Sequence, residues 1–428
     1  MSAERSFATR LLLHALRRRA VLRGLGLAAA GVALPGCATQ ARAAAPELVE
    51  IPVNPQGRLE AAYAVAGHVP GRPVTALSGP VAKRLAAMVP PEAATLRLLH
   101  FNDLHNNLVI GDAEKGETHA LAQIVKQAKA ARAKAKPGEV VLLVTAGDDR
   151  TGGFFDPLLG DIAGNGWRID PGYAAYSAAG VDASAIGNHE FDHGARTLAR
   201  GIRGDAKFPL LAANISGLRE VAAGRDYHPA MIAVAGGLRI GFLGVTCSVI
   251  KHFRKAAEPG LTLASPVAAA NQLLPAVAAL SDVVVILSHC GYGDDYGPPR
   301  AADGWRFFIR EGDLPLARAA ARLTAKPVVV VGGHTHTTLN KGGLDPENLV
   351  DGVPVLQAGA RGKYLGDARL TLKSGEKTKF STRLIRIKPR NDALAPDHAD
   401  YAKAERDADF DTGFEAQVIG SLKARMRG

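Results

Sequence analysis

Cysteine is scarce: the 428 residues contain three, widely spaced and without a Cys-x-x-Cys pair. That excludes a disulfide framework and gives no thiolate zinc or redox motif. Aromatic residues make up only 5%, and no long basic block is interleaved with them, so a nucleic-acid polymer is not expected as partner. No apolar run approaches the roughly 20 residues needed to cross a bilayer, which excludes a polytopic membrane protein. Internal repeats and low-complexity tracts are absent apart from an alanine bias. What remains is a composition of 47% hydrophobic and 22% charged residues, ordinary for a globular protein long enough to bury a full core.

The formal charge of +11 is unevenly placed, because residues 1–37 carry six arginines against the single acid Glu4. Removing that stretch leaves +6, a balance suited to an anionic substrate or surface. Arg17-Arg18-Arg19 stands ahead of a short, Gly/Ala-rich apolar stretch from Gly24 to Leu34. Basic residues followed by a short apolar segment make residues 1–43 a signal peptide, and the paired arginines resemble the twin-arginine type. Arg17 and Val21 depart from the usual residues of that pattern. Two fates are open. Leu34-Pro35-Gly36-Cys37 resembles a lipobox, with lipid anchoring at Cys37, and Ala41-Arg42-Ala43 offers a site for release. Both imply the twin-arginine export machinery as a partner and a periplasmic or cell-envelope location, which for the anchored form includes the outer membrane.

Residues 44–94 are rich in Pro, Gly and Ala and read as an extended lead-in with one helix near Val81–Met88. From Thr95 short β-rich runs alternate with helical stretches. The runs include Leu96–Asn102, Val140–Ala146, Ala183–Gly187, Val283–Ser288 and Val328–Gly332, and the helices include His119–Lys134 and Pro266–Leu280. This alternation predicts an α/β domain over 95–390 with mostly buried strands. Residues 391–428 read as a helical tail. Cys247 and Cys290 read as core thiols.

Five short motifs follow predicted strands: Asn102-Asp103-Leu104-His105, Gly147-Asp148-Asp149, Gly187 through Asp192, Ser288-His289-Cys290-Gly291, and Gly332-Gly333-His334-Thr335-His336. Carboxyl ends of strands are where α/β sheets place ligands. Oxygen and nitrogen donors without thiolate suit Zn, Mn, Fe or Co. The set is large enough for two divalent ions. Asp103, His105 and His336 would serve one, Asn188, His289 and His334 the other, with Asp148 between them. Such a pair clamps the attacking and leaving oxygens of an in-line displacement.

In this order the motifs resemble the calcineurin-like metallophosphoesterases. Phe101 to His105, Gly147-Asp148 with Thr151-Gly152, Gly187 to Asp192, and Gln357-Ala358-Gly359 with Gly362 to Gly366 are similar to the 5′-nucleotidase / 2′,3′-cyclic phosphodiesterase branch. The resemblance implies a four-layer α/β/β/α sandwich, that dimetal site, and hydrolysis of small anionic phosphate mono- or diesters, nucleotides among them, by metal-activated hydroxide. It also implies that His189 acts on the substrate, oriented by Asp192. Twin-arginine export, which carries folded proteins, would suit a chain that takes up its metal first.

That branch normally carries a second, C-terminal domain that recognises the base and phosphate, and the tail is too short to be one. Arg150, Arg361 with Lys363, and the run Lys251 to Lys255 are candidate phosphate contacts in its place, with Arg150 and Arg361 preferred because they flank metal motifs. The segment Tyr292–Arg310 reads as a lid or rim or as an ordinary long loop. Two other functions fit the same residues: a thiosulfohydrolase-like cleavage of sulfur esters, and a non-catalytic periplasmic metal- or ligand-binding lipoprotein.

Overall fold

A computed structural model describes residues 45–68, 70–112, 116–160, 168–253, 260–294, 309–388 and 409–427. The expected signal peptide with Cys37, residues 254–255 of the basic run, and most of the Tyr292–Arg310 segment lie outside the described residues. Among the described residues no helix is long and apolar enough to cross a membrane.

Two sheets carry the domain. The first has eight strands, edge to edge Glu47–Ile51, Ala61–Ala66, Ala230–Ala235, Leu238–Thr246, Val283–His289, Val328–Gly332, Val353–Leu356 and Leu349–Val350. The second has six, in the order Lys379–Arg386, Tyr364–Lys373, Ala93–Phe101, Glu139–Thr145, Ala183–Ala185 and Leu210–Leu211. The middle of each sheet is parallel; both edges of the eight-stranded sheet are antiparallel, whereas the six-stranded sheet is antiparallel at the Lys379–Arg386 edge and parallel through to Leu210–Leu211.

The central strands are apolar because both their faces are buried, whereas the edge strands Glu47–Ile51 and Lys379–Arg386 carry exposed charged residues. In Ala93–Phe101, Leu96 and Leu98 point into the core between the sheets, while Leu99 and Phe101 point into the outer core. In Val283–His289, Val283, Val285 and Leu287 face the same inner core, and Val284 and Ile286 face the opposite outer one. Helices Ala120–Ala133, Pro171–Ala179 and Gly194–Gly204 cover the six-stranded sheet. Helices Gly79–Ala87, Pro266–Ala279 and Asp313–Leu323 cover the eight-stranded one. The result is the helix–sheet–sheet–helix layering that the alternation and the family resemblance led one to expect. Cys247 and Cys290 are both buried.

The stretch 44–94 departs from its expectation. It adds two strands to the eight-stranded sheet, Ala61–Ala66 pairing with both Glu47–Ile51 and Ala230–Ala235. The sequence Ala-Ala-Tyr-Ala-Val-Ala hides this strand, because alanine is a poor strand former and the burial of both faces leaves no alternation to read. Only its position between two neighbours makes it a strand. The tail is helical from Thr412 to Arg427 apart from a π turn at Glu415–Ile419, and Phe410, Phe414, Ile419 and Leu422 bury into the outer core of the six-stranded sheet.

Candidate metal centre

All five motifs leave the carboxyl ends of parallel strands, where the two sheets approach each other. His289 is the last residue of its strand. Asp103 and His105 follow Phe101, Asp148 follows Thr145, Asn188 follows Ala185, and His334 and His336 follow Gly332. Five of these residues have left-handed backbone: Asp103 (φ 50), His105 (50), Asp148 (55), His334 (73) and His336 (54). For residues with a Cβ this costs roughly 1–2 kcal/mol each, and such strain collects at functional sites. The turns are held by each other: Asp103 N–H donates to Gly147 O at 3.0 Å, His105 N–H to Asp148 O at 2.9 Å. Gly147 (φ 90) cannot carry a side chain, since a Cβ would lie 2.8 Å from Gly187 N.

The donor atoms gather into two groups. In the first, His336 Nε2 is 3.4 Å from Asp103 Oδ1, and His105 Nε2 is 3.2 Å from His336 Nε2. In the second, His289 Nε2 is 2.9 Å from Asp148 Oδ2, and His334 Nδ1 is 2.8 Å from Asn188 Oδ1. Asp148 Oδ2 also lies 3.8 Å from His105 Nε2, so this carboxylate stands between the groups. Within each of the sets Asp103–His105–His336 and Asp148–His289–His334 the donor atoms lie within 4.8 Å of one another.

The atoms behind the donors decide which way each ring faces. His105 Nδ1 is 3.1 Å from Thr151 O and His289 Nδ1 is 2.7 Å from Ala146 O. A carbonyl can only accept, so each Nδ1 donates and each Nε2 keeps its lone pair for the centre. His289 Nε2 is fully buried and faces Asp148 Oδ2. A lone pair aimed at a carboxylate oxygen is what a cation between them would resolve, so the donors present fit divalent ions.

The electrostatics agree. Burial pushes Glu190 up to about 8, helped by the nearby Asp148 and Asp149. Burial chiefly, with Asp148, also lifts Asp149 to about 7. Burial opposes charge on His289, yet Asp148 and Asp103 outweigh it and raise its pKa to about 10, so a proton holds Nε2 until a cation displaces it. Buried carboxylates crowded this way call for positive charge among them.

His189 and Asp192 stand beside the donors, not among them. His189 Nδ1 is 2.8 Å from Asp192 Oδ2, and the His189 ring packs edge-on against His105 with centroids 5.0 Å apart. The His189 side chain keeps 33% of its surface open to solvent. Burial works against its charge, but Asp148 and Asp192 overcome this and raise its pKa to about 9.

Arg150 requires a correction. It is fully buried, with Nε 2.6 Å from Asp170 Oδ2 and an η-nitrogen donating to Glu190 O at 2.8 Å. It braces the Asn188–Asp192 turn from behind and has no route to a substrate. Arg361 is exposed, and its backbone N–H donates to Asp103 O at 2.7 Å, which puts it at the rim of the donor set.

Several supporting residues escape a reading of the sequence. Glu190 accepts from the backbone N–H groups of Gly187 (2.7 Å), Asp148 (3.1 Å) and Asp149 (2.7 Å), tying two motif loops together. Gln357 accepts from Thr337 N–H and donates to Gly333 O at 2.9 Å, fixing the His334–His336 turn. Their only sequence signal is membership of a motif. His252, grouped by sequence with a basic run, lies with Nδ1 2.9 Å from His334 Nε2.

A family model described as calcineurin-like phosphoesterase matches residues 96–338. A 5′-nucleotidase of Diplobatis ommata is 26% identical over 353 residues, covering 78% of this chain and 55% of that protein. Among solved structures, a 5′-nucleotidase precursor from Thermus thermophilus has the same fold over 78% of this chain and 59% of its own (TM-score 0.53, 24% identity). The calcineurin-like phosphoesterase YfkN from Bacillus subtilis is matched over 100% of the solved chain and 78% of this one (TM-score 0.54, 20% identity). The chain spans about half the length of the curated relatives it matches.

Proposed function

This chain belongs to the calcineurin-like phosphoesterase family, and on that premise we propose that it is an exported hydrolase that holds two divalent cations and cleaves phosphate mono- or diesters, nucleotides included. The observation that carries the proposal is the pair of donor groups with Asp148 between them. Asp103, His105 and His336 would hold one ion, and Asn188, His289 and His334 the other, with Asp148 shared. Zn, Mn, Fe and Co all suit such donors. When bound, the ions would supply charge neutralisation for the phosphoryl oxygens and a water acidic enough to react near neutral pH.

The chain's own residues do the rest. Asp192 accepts the Nδ1 proton of His189, so the other ring nitrogen of the imidazolium carries a proton it can give. Hydrolysis breaks the bond from phosphorus to the ester oxygen. That oxygen leaves with the proton from His189 Nε2, and His189 recovers one from solvent. Arg361, exposed at the rim, would meet a phosphate oxygen. Export rests on the twin-arginine pattern of residues 1–43, and mass spectrometry of the exported N-terminus distinguishes lipid on Cys37 from release.

The test is turnover by the metal-reconstituted protein on p-nitrophenyl phosphate, bis-p-nitrophenyl phosphate and a nucleotide series, with a protein-bound thiosulfonate alongside. Cleavage of a phosphoester is expected, and Asp148→Ala lowers it by about 10²–10³-fold or more, as loss of a main electrostatic element does. Normal turnover by that variant, cleavage of the sulfur ester alone, or bound metal without any turnover would each refute the proposal.

A further inference from the structure

Behind His334 lies a second imidazole that the proposed chemistry does not use. His252 Nδ1 is 2.9 Å from His334 Nε2, with ring centroids 4.7 Å apart. The carbonyl of the same residue accepts from Asn188 Nδ2 at 3.0 Å. Asn188 Oδ1 in turn stands 2.8 Å from His334 Nδ1. One residue therefore grips the far ends of two side chains whose near ends meet.

Each grip has a directional consequence. An amide whose NH2 is held by a carbonyl presents its oxygen the other way. An imidazole whose Nε2–H is accepted by a neighbour keeps its lone pair on Nδ1. In the alternative tautomer His334 Nδ1–H would donate to Asn188 Oδ1, and the two donors would satisfy each other instead of a cation. At His105 and His289 the wrong tautomer is prevented by a carbonyl oxygen behind the ring. Behind His334 that place is taken by the His252 imidazole.

We propose that His252 is a positioning residue for one of the two cations: its carbonyl aims the Asn188 oxygen, and its Nδ1 accepts the His334 Nε2 proton, freeing His334 Nδ1 as a ligand. The assignment rests on the two-cation reading above. A competing arrangement uses the same neighbourhood, because Cys247, His252 and His334 offer donor atoms within 4.8 Å of one another. A third ion there would have to strip the last ring proton from His334 and make it a bridging imidazolate. It would also need a thiolate from Cys247, whose thiol burial pushes well up. A neutral His334 donating to His252 needs neither change.

The experiment is stepwise Co²⁺ titration of the metal-free full-length protein, followed by visible absorption and checked by metal analysis. The variants are His252→Ala, His252→Asn and Cys247→Ser, each verified as folded by circular dichroism in chelator. The wild type is expected to bind two ions. His252→Ala should bind one of them about 10- to 100-fold more weakly, the usual effect of removing the partner behind a ligand, with the other unchanged. His252→Asn keeps an acceptor oxygen and should recover part of the loss, and Cys247→Ser should match the wild type. A folded His252→Ala protein that binds both ions like the wild type overturns the assignment while leaving the two-cation reading intact. So does a third equivalent of metal that disappears in both His252→Ala and Cys247→Ser. A wild type that binds fewer than two ions defeats the two-cation reading itself.

Discussion

His189 illustrates how much of this site depends on single side chains. With Asp192 on one nitrogen and a third of its surface open, it would, on the proposed reading, hand over a proton, so its loss should be felt where the departing oxygen most needs one. His189→Gln is expected to lower kcat by about 10²–10⁴ on alkyl phosphates and much less on p-nitrophenyl phosphate, with metal content unchanged. A rate series over leaving groups of rising basicity checks this, and an equal loss across the series would mean that His189 is not the proton donor. Asp226 shows the same scale acting on stability. Its carboxylate accepts from Arg203 at 2.8 Å through two nitrogens, from Arg225, and from Ala222 N–H. Burial alone would raise its pKa, but the two guanidinium groups lower it to about 2 from the ordinary 3.8. A depressed carboxylate stabilises the fold above its unfolded pKa and loses that contribution as pH falls toward the folded one. Asp226→Asn should cost about 2 kcal/mol at pH 6, and denaturant titrations should show the gap to wild type closing by about pH 2.

Between elements, the six-stranded sheet contains a fit that admits one test. His100 projects into the layer between the sheets, fully buried, and neither ring nitrogen has a hydrogen-bond partner. Burial drops its pKa to about 4, so the ring is neutral there. The strand opposite makes room for it with Gly366, where a Cβ would collide with His100 Nε2. Gly366→Ala is therefore expected to destabilise by about 1–3 kcal/mol through overpacking, and His100→Ala in the same chain should restore most of it. Destabilisation that adds across the two changes would show that the strands do not meet in this way. The helix at the tail makes a comparable fit: Leu422 is 3% exposed in the outer core, and Leu422→Ala should cost about 2–5 kcal/mol in equilibrium unfolding.

At the level of the whole molecule, residues 409–427 act as part of the domain. Asp411 N–H donates to Ala122 O at 3.0 Å, and its carboxylate meets Lys129 at 2.6 Å. Phe410 stacks on His119 with ring centroids 4.2 Å apart, and Lys423 Nζ is 2.7 Å from Glu117. That ammonium already supplies the positive charge for Glu117, His119 and Glu415, the one cluster of possible ligands among the described residues away from the motif loops. Deleting residues 409–428 uncovers the helix Ala120–Ala133 and should lower Tm by on the order of 10 °C. Scanning calorimetry checks it, and an unchanged Tm would mean that the tail carries no share of the core.

The sequence by itself made the α/β character and the candidate donors legible, and the family resemblance supplied the expectation of four layers. Short β-branched runs such as Val283–Leu287 read as buried strands and are buried on both faces, and Asp, Asn and His recurring in short turns after such runs have a common chemical use. Local pattern carries that information because strand burial and the spacing of donors in a turn are short-range properties. Tertiary structure decided everything that depends on which distant turns meet. Asp103 accepts the His334 N–H across 231 residues, Glu190 locks the Asp148 turn across 42, Arg150 turns inward to Asp170, and His252 reaches His334 across 82. No residue's type or neighbours in the chain announce such pairings. A tautomer, a buried arginine or an alanine-rich strand is fixed by what packs against it, and that is settled only when the sheets have closed.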